Sequence, residues 1–456
     1  MHIEPVEEKL FSQLLEYNKK LNLGIVYRVA GGWVRDRLMG IASHDVDITI
    51  DRSSGAVFAK GFMQYLHEKS ESVRGYYAMA ANPEKSKHLE TASLQYKGLL
   101  VDFVALRTEE YTDTRIPAVR TGTPQEDANR RDITINSLFY NINTGEVEDL
   151  TGKGLDDIKN KKIRTPLDPM VTFMDDPLRI LRVLRFAARL SFEIVPEVLG
   201  VLDRERLHAK LKAVVSKERV GHEIKKTLAH SGYKIALLAM VKYRIAAALF
   251  PGIEISHAEV QEYTHALEAM EKEEGHPLHS IEEKNMYIVR LFSLLQNNQG
   301  VRAGKASLTE HVVAEFLRWT KAERAHIVQI EAGVSAMERL LKMDVEERDR
   351  QVRMARELKQ CLPEAFCVYD ALQRMGKLRP ASICALYADI VSSGYIDAYL
   401  RKPVVSYALL KSKLQLSPDK TAMCVNRCVE LSIIHSTEDT EQIIRILCKE
   451  MQSRPL

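Results

Sequence analysis

The sequence predicts an α+β protein, in which a small domain of mixed helices and strands precedes a long region that is almost entirely helical. Short segments rich in β-branched and aromatic residues are confined to the part of the chain before about residue 165. From Asp175 onward, apolar residues recur at the helical spacing of three and four. The 456 residues are too many for one hydrophobic core, so we expect about two to four domains.

The first part of the chain alternates between the two kinds of element. A helix is predicted from Glu7 to Lys20, because Leu10, Leu14 and Tyr17 fall on one side of it. A second helix is predicted at residues 53–69. Strands are predicted at residues 24–30, 44–50, 91–98, 99–107 and 133–142, with a hairpin-like turn in residues 141–150.

The later part of the chain predicts helices with recognisable ends. The segment from Asp175 to Phe192 has an acidic start, a proline in its first turn and an apolar stripe. The next helix has Ser216 as its N-cap and ends near Gly232. Further helices are predicted at about residues 263–273, 285–296, 308–320, 324–343, 345–362 and 438–452.

The composition excludes several classes of protein. No run of about 18 apolar residues occurs, so we expect no transmembrane helix. The acidic N-terminus resembles neither a secretory signal nor a transit peptide, so we expect a cytoplasmic or nuclear protein without evident mitochondrial targeting. The six cysteines lie between Cys361 and Cys448 without a C-x-x-C pair, which favours buried helix thiols over a metal site or disulfides.

Gly31 and Gly32 mark a sharp turn between a predicted strand and a predicted helix that begins near Val34. Glycine permits unusual backbone dihedral angles and close approach of backbone N–H groups to a ligand. A helix N-terminus favours anions, so phosphate is the expected ligand, with Arg35 facing it. Because ordinary turns also use paired glycines, this motif alone is a weak indication.

Asp45 and Asp47 alternate with aliphatic residues in the predicted strand 44–50. Residues two apart on a strand point to the same side, so these carboxylates project together. Mg²⁺ would relieve their repulsion, although a solvent-facing polar edge is the alternative. Asp102, on another predicted strand, is either a third carboxylate on the same metals or a structural aspartate.

Two further groups carry polar side chains suited to a nucleotide. Arg130 and Arg131 precede a predicted strand that contains Asn136; they would bind phosphates or form a salt bridge with Asp132. Asp176 and Arg179 are three residues apart on a predicted helix and therefore share one face.

An Asp/Arg pair can discriminate between bases. Asp accepts a hydrogen bond and Arg donates one, which matches the amino group and adjacent acceptors of cytosine and adenine. Uracil and guanine present the reverse order and would leave buried groups unpaired. Arg182 and Arg185 add positive charge for a triphosphate. The alternative is an intrahelical salt bridge between Asp176 and Arg179, which contributes little stability.

Taken in order along the chain, these motifs resemble the family of class II tRNA nucleotidyltransferases (CCA-adding enzymes) and bacterial poly(A) polymerases, of the eukaryotic type. The resemblance rests on Gly31-Gly32-x-Val-Arg-Asp, Asp45-x-Asp47, Arg130-Arg131-Asp132 through Asn136, Asp149-Leu-x-Gly, Asp175-Asp176-Pro-Leu-Arg179 and Ser216-Lys-Glu218-Arg219. The family motif often begins Glu-Asp where this chain has Asp175-Asp176. Beyond about Gly232 the resemblance fades.

The resemblance implies a polymerase-β-like nucleotidyltransferase head with a mixed sheet, followed by all-helical neck, body and tail. In that scheme Asp45 and Asp47 bind Mg²⁺ and Glu218 and Arg219 stabilise the base-reading helix. The implied nucleotide contacts are Gly31, Gly32, Arg35, Arg131, Asn136, Asp176, Arg179, Arg182 and Arg185. The predicted domains are the head at 1–168, the neck with the base-reading helix at 169–235, the body at 236–360 and the tail at 361–456.

The expected activity is addition of CCA to tRNA 3′ ends from CTP and ATP, without a nucleic-acid template. The alternatives are a poly(A) polymerase, an enzyme that adds only CC or only A, and a non-catalytic RNA-binding relative. Basic residues outnumber acidic ones between Ala371 and Lys420, a candidate contact for the tRNA acceptor arm. We expect no membrane partner and favour a monomer.

Overall fold

The structure, a computed structural model, describes residues 1–43, 45–51, 55–79, 91–110, 118–296, 302–303 and 306–453. The chain divides into two compact units, Met1–Leu249 and Phe250–Leu456. The predicted fold class is confirmed, because the first unit contains a mixed sheet with helices and the second unit is mostly helical. The finer division into head, neck, body and tail stays a prediction.

A mixed β-sheet forms the scaffold of the first unit. The strands described in this unit are β1 (Tyr27–Ala30), β2 (Asp45–Ile50), β3 (Val73–Met79), β4 (Thr91–Tyr96), β5 (Leu99–Ala105), β6 (Arg107–Glu110), β7 (Ala118–Thr121), β8 (Phe139–Asn141), β9 (Glu146–Glu148), β10 (Lys162–Ile163) and β11 (Glu193–Ile194). Among the described residues, seven of them form one sheet in the order β3-β4-β5-β2-β1-β8-β9. β2 and β5 run parallel, and the other neighbouring strands run antiparallel.

The first unit also contains helices. The early ones pack against this sheet, and the later ones continue the chain beyond it. The helices are α1 (Pro5–Leu21), α2 (Gly32–Leu38), α3 (Gly55–Glu68), α4 (Pro124–Asn129), α5 (Gly154–Lys159), α6 (Pro169–Asp175), α7 (Arg179–Leu190), α8 (Pro196–Leu199), α9 (Glu205–Val214), α10 (Lys217–Ala229), α11 (Tyr233–Lys242) and α12 (Ile245–Leu249). Phe58 and Phe62 of α3 pack on Phe103 of β5, with ring centroids 5.1 and 6.0 Å away. This packing covers one face of the sheet and leaves the other face available to a site.

The second unit consists mainly of helices that pack around a separate set of buried apolar residues. They are α13 (His257–Met270), α14 (Met286–Leu295), α15 (Leu308–His311), α16 (Lys321–Lys342), α17 (Glu347–Leu358), α18 (Leu362–Arg374), α19 (Ile383–Ser392), α20 (Tyr407–Leu414), α21 (Pro418–Ile434) and α22 (Thr440–Ser453), with the short strands β12 (Arg302–Ala303) and β13 (Ala306–Ser307). All six cysteines, which lie in the described part of this unit, are free thiols, and Cys361, Cys367, Cys424 and Cys428 are buried. Among the described residues, no helix is both long and apolar enough to cross a bilayer.

One strand prediction is corrected. Within residues 133–142 only Phe139–Asn141 is a strand, and Thr134–Asn136 forms a 3₁₀ turn. The Ser137 hydroxyl donates to the Ile133 carbonyl (3.0 Å), a local bond of the kind that competes with strand pairing. The Thr134 hydroxyl donates to Asp157 Oδ2 (2.7 Å) on α5.

Strand β3 was not predicted from the sequence. The pairing with β4 shifts register between Arg74 and Tyr76, and Gly75 between them has φ +65°. A bulge of this kind breaks the alternation by which strands are recognised. His44 and residues 53–54, at the ends of two predicted elements, lie outside the described residues.

Candidate active site

One cleft in the first unit gathers the residues that the sequence singled out. It has a volume of about 1580 Å³ and lies between the open face of the sheet and helices α7 and α10. The described residues that line it include every predicted site residue: Gly31, Gly32, Arg35, Asp45, Asp47, Asp102, Arg131, Asn136, Asp176, Arg179, Arg182 and Arg185. The structure therefore brings together motifs that are up to about 150 residues apart in the sequence, as expected of a single site.

Three carboxylates form one wall of the cleft. Asp47 on β2 lies directly beside Asp102 on β5 in the parallel register, and Asp45 is two residues before Asp47. Their neighbours Val46, Ile48, Val101 and Phe103 are fully buried on the opposite face. The alternation predicted for residues 44–50 thus places these side chains together, and Asp102 joins them.

The electrostatics of this wall are unfavourable without a cation. Although Asp47 faces the open cleft, the surrounding protein desolvates its carboxylate and raises its pKa. The negative charges of Asp102 and Asp45 raise this pKa further, and Arg131 opposes them. Asp102 Oδ1 is buried and has no hydrogen-bond partner among the described residues. Clustered carboxylate oxygens with an unused acceptor are the donor set that hard divalent cations prefer, so these residues fit a divalent metal.

The Gly31-Gly32 turn is shaped by a backbone conformation that only glycine adopts easily. Gly31 has φ 69° and ψ −122°, and its N–H donates to the Leu138 carbonyl (3.0 Å). Helix α2 begins at Gly32, two residues earlier than predicted. A Cβ on Gly31 would lie 2.7 Å from Arg131 Nη1, whereas a Cβ on Gly32 would meet nothing closer than Arg35 Nη2 at 3.6 Å.

We therefore predict that Gly31→Ala destabilises the protein and Gly32→Ala does not. At position 31 the substitution forces backbone strain of about 1–3 kcal/mol and displaces Arg131, whereas position 32 has room for a methyl group. Thermal unfolding of both variants without ligands measures the difference. Equal unfolding temperatures for the two variants would contradict this account of the turn.

Arg131 is held under the turn by a residue that the sequence analysis missed. Asp127, which is only 1% exposed, accepts bonds from Arg131 Nε (3.0 Å) and Nη2 (2.8 Å), and it also pairs with Arg130. Burial opposes ionisation of Asp127, but the two guanidinium groups outweigh it and lower its pKa. The predicted alternative partner, Asp132, is not the carboxylate that these contacts use. The spacing of Asp127 to the two arginines, three and four residues within a helical turn, was the available signal.

Arg35 lines the cleft as a nearly buried side chain, and several groups fix its guanidinium. It is 3% exposed, pairs with Asp36 (2.7 Å) and donates to Asn136 Oδ1. Its Cζ lies 5.1 Å from the ring centroid of Phe186 on α7. Arg35 therefore connects Asn136 to α7, the helix that begins at Arg179.

Asp176 is not part of the helix on which the sequence placed it. Its backbone is extended (φ −131°, ψ 99°), between the end of α6 and the start of α7 at Arg179. Pro177 explains the break, because proline disfavours helical dihedral angles at the residue before it. The Asp176 carboxylate accepts from the Leu178 N–H (3.2 Å) and from Arg219 Nη2 (2.7 Å). Both Asp176 and Arg179 still line the cleft.

Two arginines of α7, Arg182 and Arg185, have carboxylate partners that offset their positive charge. Arg182 pairs with Asp132 (2.7 Å) and Glu223 (3.5 Å), and Arg185 pairs with Glu223 (2.7 Å). Burial opposes ionisation of Asp132, but Arg182 outweighs it and lowers the pKa of Asp132. Arg179, which is 6% exposed, donates from Nη1 to the Thr172 carbonyl (3.1 Å). The cleft is therefore less positive than a count of arginines predicts.

The comparisons with known proteins agree with the resemblance inferred from the motifs. Residues 27–164 match the model of the poly A polymerase head domain family. A relative from Saccharomyces cerevisiae, "CCA tRNA nucleotidyltransferase, mitochondrial", is 46% identical over 231 residues, which are 50% of this chain and 42% of that protein. An "A-adding tRNA nucleotidyltransferase" from Aquifex aeolicus is 30% identical over 297 residues, which are 64% of this chain and 33% of that protein.

The likeness extends to the whole fold in solved structures. A CCA-adding enzyme in an apo form aligns with a TM-score of 0.70 and 20% identity, covering 98% of this chain and 96% of that one. At this identity the likeness shows the fold. The chain spans about half the length of the curated relatives that it matches.

Proposed function

We propose that this chain, whose residues 27–164 match the poly A polymerase head domain, is a CCA-adding tRNA nucleotidyltransferase. The observation that carries the proposal is the single cleft in which the carboxylates, the glycine turn and the Asp/Arg pair meet. The carboxylates suit a metal ion, the glycine turn suits a triphosphate, and the Asp/Arg pair suits a base. The relatives named as tRNA nucleotidyltransferases support the same reading.

In the proposed reaction, the 3′-hydroxyl oxygen of the tRNA bonds to the α-phosphorus of CTP or ATP. The bond from that phosphorus to the α,β-bridging oxygen breaks, and pyrophosphate leaves together with the hydroxyl proton. Arg131, fixed by Asp127, and the Gly31 turn hold the triphosphate. Asp45, Asp47 and Asp102 would hold Mg²⁺, which supplies stabilisation of negative charge on the attacking and leaving oxygens. Asp176 accepts from the amino group of cytosine or adenine, and Arg179 donates to the neighbouring acceptor.

Two alternatives from the same family remain, together with one from another class. The A-adding relative gives a reason to consider a chain that adds only part of CCA. A poly(A) polymerase would share the site but continue adding A. A non-catalytic RNA-binding protein is disfavoured, because all three carboxylates are present and lie together.

One assay separates these functions. Purified protein with Mg²⁺ is given tRNA that ends at the discriminator base, at C or at CC, with each nucleotide singly and with all four together. We expect C, C and A to be added in order, followed by a stop. Continued addition of A identifies a poly(A) polymerase, growth confined to C or to A identifies a partial enzyme, and no growth from any substrate contradicts the proposal.

The compartment and the RNA contacts of the second unit are also proposals. The yeast relative is named as mitochondrial, in partial conflict with the cytoplasmic or nuclear expectation, so a mitochondrial pool belongs to the proposal. Arg401, Lys402 and Lys411 are exposed in the basic stretch after Ala371 and remain candidates for phosphate contacts.

A further inference from the structure

The open face of the sheet continues past the carboxylates as a straight row of side chains. Asp47 on β2 pairs with Asp102 on β5, Asp102 pairs with Ser93 on β4, and Ser93 pairs with Tyr77 on β3. Directly paired residues on neighbouring strands point to the same face of a sheet. Tyr77 therefore lies on the face of the catalytic carboxylates, at the edge strand.

Tyr77 is a large exposed side chain on this face. Its exposed fraction is 70%, whereas tyrosine is usually intermediate in burial. The bulge at Gly75 places it there: it inserts one residue, so that Arg74 and Tyr77 both point to the open face. A Cβ on Gly75 would lie 3.0 Å from Tyr77 Cε2, so the glycine leaves room for the ring to lie against the strand.

A second row on the same face carries side chains of the kinds that contact nucleic acids. Arg74 pairs with Gln95, Gln95 with Leu100, and Leu100 with Asp45. Arg74 and Gln95 are exposed, and Leu100 is 44% exposed. An aromatic ring beside a cationic and an amide side chain is the usual composition of a surface that stacks single-stranded bases and contacts their phosphates.

The spacing relates this surface to the reacting end of an RNA. At about 4.8 Å between strands, Tyr77 lies about 10 Å from Asp102 and about 14 Å from Asp47. Stacked nucleotides advance about 3.4 Å each, so a base about three positions from the 3′ end would reach the ring. The nucleotide-binding groups Gly31 and Arg131 lie on the other side of the carboxylates, around β1 and β8, the strands beyond β2.

We propose that Tyr77, with Arg74, Gln95 and Leu100, is a stacking platform for the single-stranded 3′ end of the RNA primer. The proposal rests on the proposed function, because it takes Asp45, Asp47 and Asp102 as the point where the RNA end reacts. Tyr77 supplies a face for one base, and Arg74 supplies a cation for the adjoining phosphate. The platform holds the primer and leaves the choice of nucleotide to other residues.

The test compares Tyr77→Ala with Tyr77→Phe in the full chain. With a tRNA ending at CC, Tyr77→Ala should raise the KM for tRNA about 5- to 150-fold, because one stacked base is lost. The KM for ATP should stay within twofold of the unsubstituted value, and Tyr77→Phe should behave as the unsubstituted protein. Val57→Ala is the matched control, since Val57 is also 70% exposed but lies on α3, which covers the other face.

A binding measurement without nucleotide tests the platform separately from catalysis. The same tRNA carries 2-aminopurine, a base whose fluorescence falls on stacking, at the third position from its 3′ end. Quenching with the unsubstituted protein and with Tyr77→Phe, but not with Tyr77→Ala, supports the platform. Unchanged quenching or an unchanged KM for tRNA in Tyr77→Ala overturns it. Failure of the unsubstituted protein to extend any tRNA would instead count against the proposed function, and the quenching result would still decide the platform.

Discussion

Asp47→Asn is expected to abolish nucleotide incorporation while the protein still folds and binds tRNA. The substitution keeps the shape of the side chain but removes a charge beside Asp102 and Asp45. Loss of metal-ion stabilisation of several kcal/mol corresponds to about a 1,000-fold fall in rate or more. Single-turnover incorporation of C into a tRNA that ends at the discriminator base measures the effect.

The stability of this variant separates a lost metal site from a lost fold. Because the pKa of Asp47 is raised in the folded state, the fold disfavours the charged form, and removing the charge relieves that repulsion. Asp47→Asn should therefore unfold at the same temperature as the unsubstituted protein or higher in EDTA, and Mg²⁺ should no longer raise that temperature to the same extent.

Asp156→Asn is the matched control for this experiment. Asp156 is an exposed aspartate on α5 that does not line the cleft, so its loss should leave both incorporation and the Mg²⁺ effect unchanged. Retained turnover in Asp47→Asn would show that Asp47 does not hold the metal. A large fall in its unfolding temperature in EDTA would show that the carboxylate stabilises the fold instead.

The sequence was sufficient to single out Asp45, Asp47 and the paired glycines, which line the cleft, because each group is a local motif, whereas Asp127 was missed. The alternation around Asp45 and Asp47 determines that both face the same side of a strand, whatever packs nearby. The paired glycines of the turn likewise report a local backbone requirement, which φ 69° at Gly31 confirms. Motifs of this kind need no knowledge of the rest of the fold.

Arguments from local motifs could not predict contacts between segments that are distant in the sequence. Arg185 and Glu223 are 38 residues apart, and Arg182 and Asp132 are 50 residues apart, yet each pair is joined within 3 Å. No periodicity links such positions, so the charges on α7 were expected to serve a triphosphate alone. The structure shows that they pair with Glu223 on α10 and, through Arg182, with Asp132 in the segment after α4, while their role with a triphosphate stays a proposal.

Two local errors have a different physical origin. Asp176 was assigned to a helix because the spacing to Arg179 suited one, but Pro177 interrupts the helical backbone between them. Strand β3 was missed because the Gly75 bulge shifts its alternation by one residue. In both cases a single residue, Pro177 or Gly75, changed the local backbone conformation and so broke the side-chain pattern used for the prediction.

Arg179→Ala is expected to relax the choice of C over U. Arg179 is a nearly buried arginine at the start of α7, and its proposed role is to donate to an acceptor on the base edge. A hydrogen bond from a charged group contributes about 1.5–3 kcal/mol, so discrimination against UTP should fall about 10- to 150-fold. The ratio of kcat/KM for CTP to that for UTP, on a tRNA ending at the discriminator base, measures this.

Two further variants distinguish the guanidinium fork from its charge and from a general loss of folding. Arg179→Lys keeps the positive charge but loses the paired planar donors, so it should give discrimination between that of the unsubstituted protein and that of Arg179→Ala. Arg206→Ala, at an exposed position on α9 outside the cleft, should change nothing. Full rejection of UTP by Arg179→Ala would place the base-reading function on other residues of the cleft. If Arg179→Ala loses discrimination against UTP but Arg179→Lys still rejects UTP fully, charge selects the base. The geometry of the fork is then not required, because a single ammonium group cannot reproduce two fixed donors.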